Sequence, residues 1–263
     1  MRMCKRAALC AAGSLRVASV STAAHTGASV SSLTWAELSE YSKAISQDAE
    51  HTYTNAVRSV AFSDNLVLGV GDYLNISIGG VNYRVDIIGF HHDEATNSAA
   101  YGGAYAGITW QMHGCYATNY AMNGTATNAG GWRDCVMRTS RMPTFMGMLE
   151  SQLQNVIVAA NKKTGKGGGS GTLYTTGDSL FLTSEIEIWG YNLDSASGEG
   201  TQYSYYAAGG SKAKVTGGSW SVRSPALTDS GNFRTVYVNG GGTASSSERD
   251  ANTSNGVALA FCT

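Results

Sequence analysis

The sequence predicts an α+β domain of short antiparallel strands, two helices and long loops. Three observations carry this expectation. A capped amphipathic stretch begins at Thr34, an alternating apolar pattern folds back on itself at Gly79-Gly80, and the last quarter holds short strand candidates separated by Gly and Ser. A doubly wound sheet would need repeated long-helix crossovers, which the pattern lacks.

The chain has 263 residues, enough for one large domain or a domain with an appended segment. Only 14% of residues are charged, while 43% are apolar, so a substantial core is available and global disorder is excluded. The 33 glycines follow no three-residue period, which points to turns rather than collagen. A net charge of -1 supplies no field to gather polyanions, so nucleic acid is not an expected partner.

Residues 1–32 are rich in Ala, Ser, Thr and Val without a sustained period, and read as an extension, linker or assembly arm. Met1 to Ala12 faintly resembles a secretion signal, but its apolar run is short and Arg16 interrupts the continuation. No stretch reaches the roughly 20 apolar residues that a spanning helix needs, so direct membrane insertion is not expected. Residues 33–263 are expected to form the packed domain.

Thr34-Trp35-Ala36-Glu37 has the pattern of a capping box, with Leu33 and Leu38 placed as a hydrophobic staple and Leu38, Tyr41 and Ile45 on one helical face. Leu74, Ile76 and Ile78 then alternate, as do Val81, Tyr83, Val85 and Ile87, and the two glycines between them suit a tight hairpin turn. From His91 to Gly131 the chain is polar and glycine-rich. Ile108, Met112 and Cys115 or Tyr116 suggest a helical stripe near its centre.

A second helix is expected from Pro143, carrying Phe145, Leu149, Leu153, Val156 and Ala160 on one face and ending near Asn161-Lys162-Lys163. Residues 164–171 read as a flexible loop. Leu180-Phe181-Leu182 and Ile186-Glu187-Ile188-Trp189 are either core strands or a strand entering an extended turn, since period alone does not separate these.

The five cysteines, Cys4, Cys10, Cys115, Cys135 and Cys262, lack zinc-knuckle spacing. Free buried thiols are the simpler expectation, with a bridge from Cys115 to Cys135 or Cys262 as the alternative. His91-His92-Asp93-Glu94 is the best local cluster for metal or acid-base work, yet no His-Glu-x-x-His pattern sets two imidazoles on one helical face. A polar loop or a satisfied interior histidine accounts for it more simply. Asp93 with Glu94, and Glu185 with Glu187, establish no glycosidase pair; turn capping or surface hydration is the simpler account of the latter. Gly167-Gly168-Gly169-Ser170-Gly171 lacks the ordered lysine and hydroxyl of a phosphate loop.

Gly131-Trp132-Arg133, Val136-Met137-Arg138-Thr139, Met142-Pro143, Asp178 to Leu182, Ser184 to Gly190, Gly198 to Tyr203, Trp220 to Pro225 and Asn255 to Cys262 together carry a family resemblance. In order and spacing they resemble an uncharacterised family of C-terminal modules of phage tail proteins, prophage products and bacterial surface proteins, over roughly residues 33–263. The ending also resembles the C-type-lectin-like variable proteins diversified by retroelements. That resemblance implies a compact C-type-lectin-like fold in which Trp220, Arg223, Pro225, Gly256 and Phe261 belong to the scaffold. It implies receptor or ligand binding, without catalysis, by a phage tail or surface-displayed protein.

The binding face so implied comprises Asp229, Asn232, Arg234, Thr235, Tyr237, Asn239, Ser245, Ser247, Arg249, Asp250 and Asn252. Thr235, Tyr237 and Asn239 are expected to point outward while Val236 and Val238 point inward, with Phe233 at a bulge or strand start. Tyr237 offers a rigid contact and the others short hydrogen-bonding groups. The expected partner is a host-cell surface protein or glycan, with other virion or surface-assembly proteins and a homo-oligomer as further partners. The expected location is a virion tail or the bacterial cell surface. No cofactor is expected, and neither Glu-Pro-Asn nor Trp-Asn-Asp is present to suggest a calcium-sugar site. The alternative is a structural virion subunit without receptor recognition, with an enzyme on a related fold a distant third.

Overall fold

A computed structural model describes residues 15–263. The secretion-like opening, Cys4 and Cys10 lie outside the described residues. The described residues form an α+β fold, with short antiparallel strands arranged among them in four small sheets. β1 (Val17–Ser21), β2 (Ser59–Phe62) and β3 (Val67–Gly69) form the first. The second has the order β12-β6-β5-β4, from β4 (Tyr73–Ile78), β5 (Val81–Phe90), β6 (Ile108–Met112) and β12 (Ala260–Cys262). β7 (Ala160–Gly167) and β8 (Ser170–Asp178) form a two-stranded ribbon. The last has the order β11-β10-β9, from β9 (Gly218–Pro225), β10 (Asn232–Val238) and β11 (Ala244–Asp250).

Helix α1 (Trp35–Ser46) begins where the capping box places it: Thr34 Oγ1 accepts from the Glu37 amide, and the Glu37 carboxylate accepts in return from the Thr34 amide. Its stripe of Trp35, Leu38, Tyr41 and Ile45 is buried in the core, where it meets both the four-stranded and the first sheet. The Trp35 ring meets Trp110 edge-on at 5.5 Å and Phe261 at 5.9 Å, while Tyr41 meets Phe62 at 4.8 Å. The β4–β5 hairpin also follows its sequence pattern, with Gly79 and Gly80 at φ of 60° and 83°, the positive angles of a two-residue turn.

Residues 15–32 contribute to the same body. β1 pairs antiparallel with β2, Val17 and Val30 are buried, and Asp72 accepts from both the Ala28 amide and His25.

The helix expected from Pro143 to about residue 161 is broken in the structure. A π turn (Met137–Arg141) leads into α2 (Met142–Met148), and at Leu149 the backbone turns extended, with φ of -73° and ψ of 154°. Leu149 there bridges Ile78 at the edge of β4, and a separate single turn follows at Ser151–Gln154. Leu149 and Leu153 are buried as the pattern demands, but by a bend that exchanges helical hydrogen bonds for a sheet contact. Ala160 lies in β7, not in a helix, and residues 164–171 are not a free loop: they are the paired ends of β7 and β8 with the Gly168-Gly169 turn between them. Gly168 and Gly169, at φ of 63° and 77°, repeat the device of Gly79-Gly80.

Two further expectations are corrected. Ile108–Met112 is a strand buried on both faces, so its apolar residues read equally well as a helical stripe. The segment after Ser184 is a short helix, α3 (Glu185–Trp189), neither of the strand alternatives. Ser184 and Glu187 cap it by a second capping box.

Candidate functional site

The expected binding residues separate according to strand register. Residues opposite one another in an antiparallel pair share a face, and alternate residues along a strand do too. Thr235 faces Ser247, Tyr237 faces Ser245 and Phe233 faces Arg249, so Thr235, Tyr237, Ser245, Ser247 and Arg249 lie on one face of β10–β11. Tyr237, Ser245 and Arg249 are exposed and Ser247 is half-buried, with the Arg249 guanidinium 6.0 Å from the centre of the Tyr237 ring. Thr235 is buried. Its hydroxyl and that of Ser221, which it faces on β9, have no hydrogen-bond partner among the described residues. The register between Phe233 and Thr235 shifts on the β9 side, which accounts for the broken alternation at Phe233.

The remaining residues sit elsewhere. Asn232, Arg234 and Asp250 share the opposite face; Asn232 and Arg234 are buried there. Arg234 donates to Glu185 at 2.9 Å, to Ser246 at 2.9 Å and to Glu248 at 3.3 Å, so its guanidinium is committed within the fold. Asn239 accepts from the Gly241 and Thr243 amides and closes the β10–β11 turn. Asp229 and Asn252 are exposed in the turns at the other end of the hairpin, with Asp229 accepting from Asn232.

The residues that the resemblance assigns to the scaffold, Trp220, Arg223, Pro225, Gly256 and Phe261, are all buried. Arg223 belongs to a buried charge network that no local sequence pattern announces. Its guanidinium grips Glu187 with two bonds, at 2.5 and 2.7 Å, and donates to the Leu182 and Glu199 carbonyls. The Lys162 ammonium donates to Asp93 at 2.5 Å, Glu187 at 2.8 Å and the Tyr203 hydroxyl at 3.1 Å, filling its three donor positions. Tyr203 and Thr109 donate to Asp93 in turn.

Two carboxylates thus face two cations, all four buried. Burial works against the Asp93 carboxylate, but the Lys162 ammonium and His92 outweigh it and hold its pKa well below the usual range. Burial likewise opposes the Glu187 charge and is overcome by Arg223 and Lys162. Glu199 has no such cation of its own. Burial pushes its carboxyl up to about 7 even though Ser224 and the Gly165 amide donate to it.

Glu185 and Glu187 are therefore both interior anchors of α3, each holding a different arginine; turn capping describes both, since Glu187 caps α3 and Glu185 accepts from the Leu193 and Asp194 amides, and surface hydration describes neither. The available signal was the capping box at Ser184, which would have placed them on a helix. Nothing in the sequence pairs either with an arginine some 36 or 49 residues away.

Cys115, Cys135 and Cys262 are free thiols. Burial pushes the first two up to about 12 and the third well above its ordinary value, so none is a thiolate at neutral pH. Among the described residues, no three His, Cys, Asp or Glu side chains are grouped to hold a metal ion. His91 and His92 are half-buried, and Asp93 is bound into the network rather than to a histidine-metal cluster. Among the described residues no helix is long and apolar enough to cross a membrane.

Fold and site together define an α+β domain built on a buried ion network, without an evident catalytic metal or cysteine arrangement among the described residues. The chain belongs to the family described as Domain of unknown function (DUF6273), which it matches over residues 107–262. That stretch holds β6 to β12 and the Lys162, Glu187 and Arg223 members of the network. No curated protein and no solved structure matches the chain.

Proposed function

We propose that this chain is a non-catalytic recognition module of C-type-lectin-like fold that holds a host-cell protein or glycan against the outer face of β10 and β11. The observation that carries the reading is the convergence of Tyr237, Arg249, Ser245 and Ser247 on one solvent-facing surface. A rigid aromatic beside a guanidinium, flanked by short hydroxyls, is the mixture that recognition surfaces favour. Beneath it the strand is anchored by Arg234 to α3, so the face is presented on a fixed support. Such a module belongs at a phage tail or bacterial surface, where several copies, joined to other assembly proteins, turn weak contacts into adhesion. In a diversified relative, the varied positions would fall on this face while Trp220, Arg223 and Phe261 stay constant.

The test is binding of the labelled full chain to whole bacterial cells by flow cytometry. Tyr237→Ala and Arg249→Ala are expected each to reduce binding about tenfold with the melting temperature unchanged. Undiminished binding by the double variant would remove this face from consideration.

A further inference from the structure

The network accounts for the floor of a cavity but not for its rim or for the aromatic cleft beside it. One cavity of about 320 Å³ runs from Asp93 and Lys162 out to Glu94, Asn161, Lys163 and Thr201. A second, of about 280 Å³, is lined by Tyr53, Asn55, Phe90 and His91. His92, Tyr105 and Thr201 line both, so the two adjoin as one groove. Both volumes fall near the lower end for small-ligand clefts, about 300 to 1,000 Å³.

The aromatic part is built rather than incidental. The His91 ring lies between Tyr53, at 4.8 Å, and Tyr105, at 4.9 Å, with tilts of 32° and 42°. His91 adopts φ of 49°, a left-handed conformation that is costly for a residue with a side chain and that recurs at ligand clamps. Burial lowers the His91 pKa, which favours the uncharged ring between the two tyrosines. Tyr53 is held from behind by its hydroxyl, which donates to Asp48 at 2.8 Å. Tyr105 is 40% exposed and lines both cavities.

The polar part selects among ligands. Lys162 and Arg223 are consumed by Asp93 and Glu187, which among the described lining residues leaves the exposed Lys163 as the lysine or arginine without such a partner, with Glu94 also in the lining. A phosphate or sulfate would find one ammonium and an acidic neighbour, and an apolar ligand would find amides and hydroxyls. A sugar ring matches both parts, since its C–H face packs on an aromatic ring and its hydroxyls donate and accept.

We propose that this groove binds a neutral saccharide, with a ring against Tyr105 and hydroxyls reaching Asn161, Thr201 and Asn55. The site shares no residue with the β10–β11 face and stands independently of it. The experiment is to probe an array of immobilised neutral oligosaccharides of glucose, galactose and N-acetylglucosamine with the full chain, then titrate the retained sugar calorimetrically. Retention of at least one of these is expected, with Tyr105→Ala and Asn161→Ala each weakening affinity about tenfold while leaving the melting temperature unchanged. Tyr237→Ala is expected to leave it unaltered. Retention of none of these sugars, or affinity lost in Tyr237→Ala but kept in Tyr105→Ala, overturns the assignment.

Discussion

Arg223 and Glu187 illustrate how much a buried ion pair depends on both members being present. Arg223→Met should destabilise the fold by about 3–5 kcal/mol, because Glu187 would be left buried with its charge incompletely matched. Urea unfolding of the two proteins measures this directly. Glu199 responds in the other direction. Its carboxyl is pushed up to about 7 from an ordinary 4.5, so the folded chain holds the proton more tightly than the unfolded chain. The associated stabilisation is complete below pH 4.5 and lost as pH rises through about 7, an effect of about 3 kcal/mol. Asp93 and Glu187, held below the usual range, contribute stability above it that disappears as pH falls through and beneath it. Stability should therefore peak in weak acid, and Glu199→Gln should flatten the limb between pH 4.5 and 7 while keeping the acid limb. An unchanged slope in that variant would assign the limb to another group. Thr235→Val supplies a third check: its hydroxyl is buried without a partner among the described residues, so the substitution should leave stability unchanged or raise it by about 1–2 kcal/mol.

Helices α1 and α3 are both started by a capping box, and α3, at five residues, has little else of its own to hold it. Ser184→Ala removes the acceptor for the Glu187 amide and the donor to the Glu199 carbonyl. A loss of about 1–2 kcal/mol follows, and since α3 aims Glu185 and Glu187 at their arginines, thermal unfolding should register it as a loss of global stability. The strand ribbons depend on paired glycines instead. At Gly131, φ is 57° and a side chain would meet the Gly165 carbonyl at 2.1 Å, so only glycine lets the helical turn Gly131–Asp134 approach β7 this closely near the tip of the β7–β8 ribbon.

The family match begins at residue 107, yet the four-stranded sheet straddles that point: β12 and β6 lie within it, β5 and β4 before it. Trp35 on α1 packs on Trp110 and Phe261, and Asp93, which precedes the match, completes the charge of Lys162. A fragment of residues 107–262 should accordingly fail to fold cooperatively, giving a broad transition and poor amide-exchange protection beside the full chain. Removal of residues 1–32 should be milder but measurable. It deletes β1 and exposes the pockets of Val17 and Val30, each worth about 1.5–3 kcal/mol when fully buried, so the melting temperature should fall by on the order of 10 °C. An unaltered melting curve would mean that β1 is only loosely held.

By itself the sequence determined what depends on neighbouring residues: the α+β class, the capped start of α1, the Gly79-Gly80 hairpin, and the inward side of Val236 and Val238. The same local signals stood at Ser184-x-x-Glu187 and Gly168-Gly169, where the short helix and the second hairpin were legible in principle. Only the tertiary structure decided the rest. It bent the chain at Leu149 toward Ile78, made a strand of Ile108–Met112, took Arg234 inward to Glu185, and brought Asp93, Lys162, Glu187 and Arg223 together. Periodicity reports which side of a segment is apolar. It carries no record of which distant charge or sheet edge will satisfy a group once water is excluded, and that pairing is settled by packing.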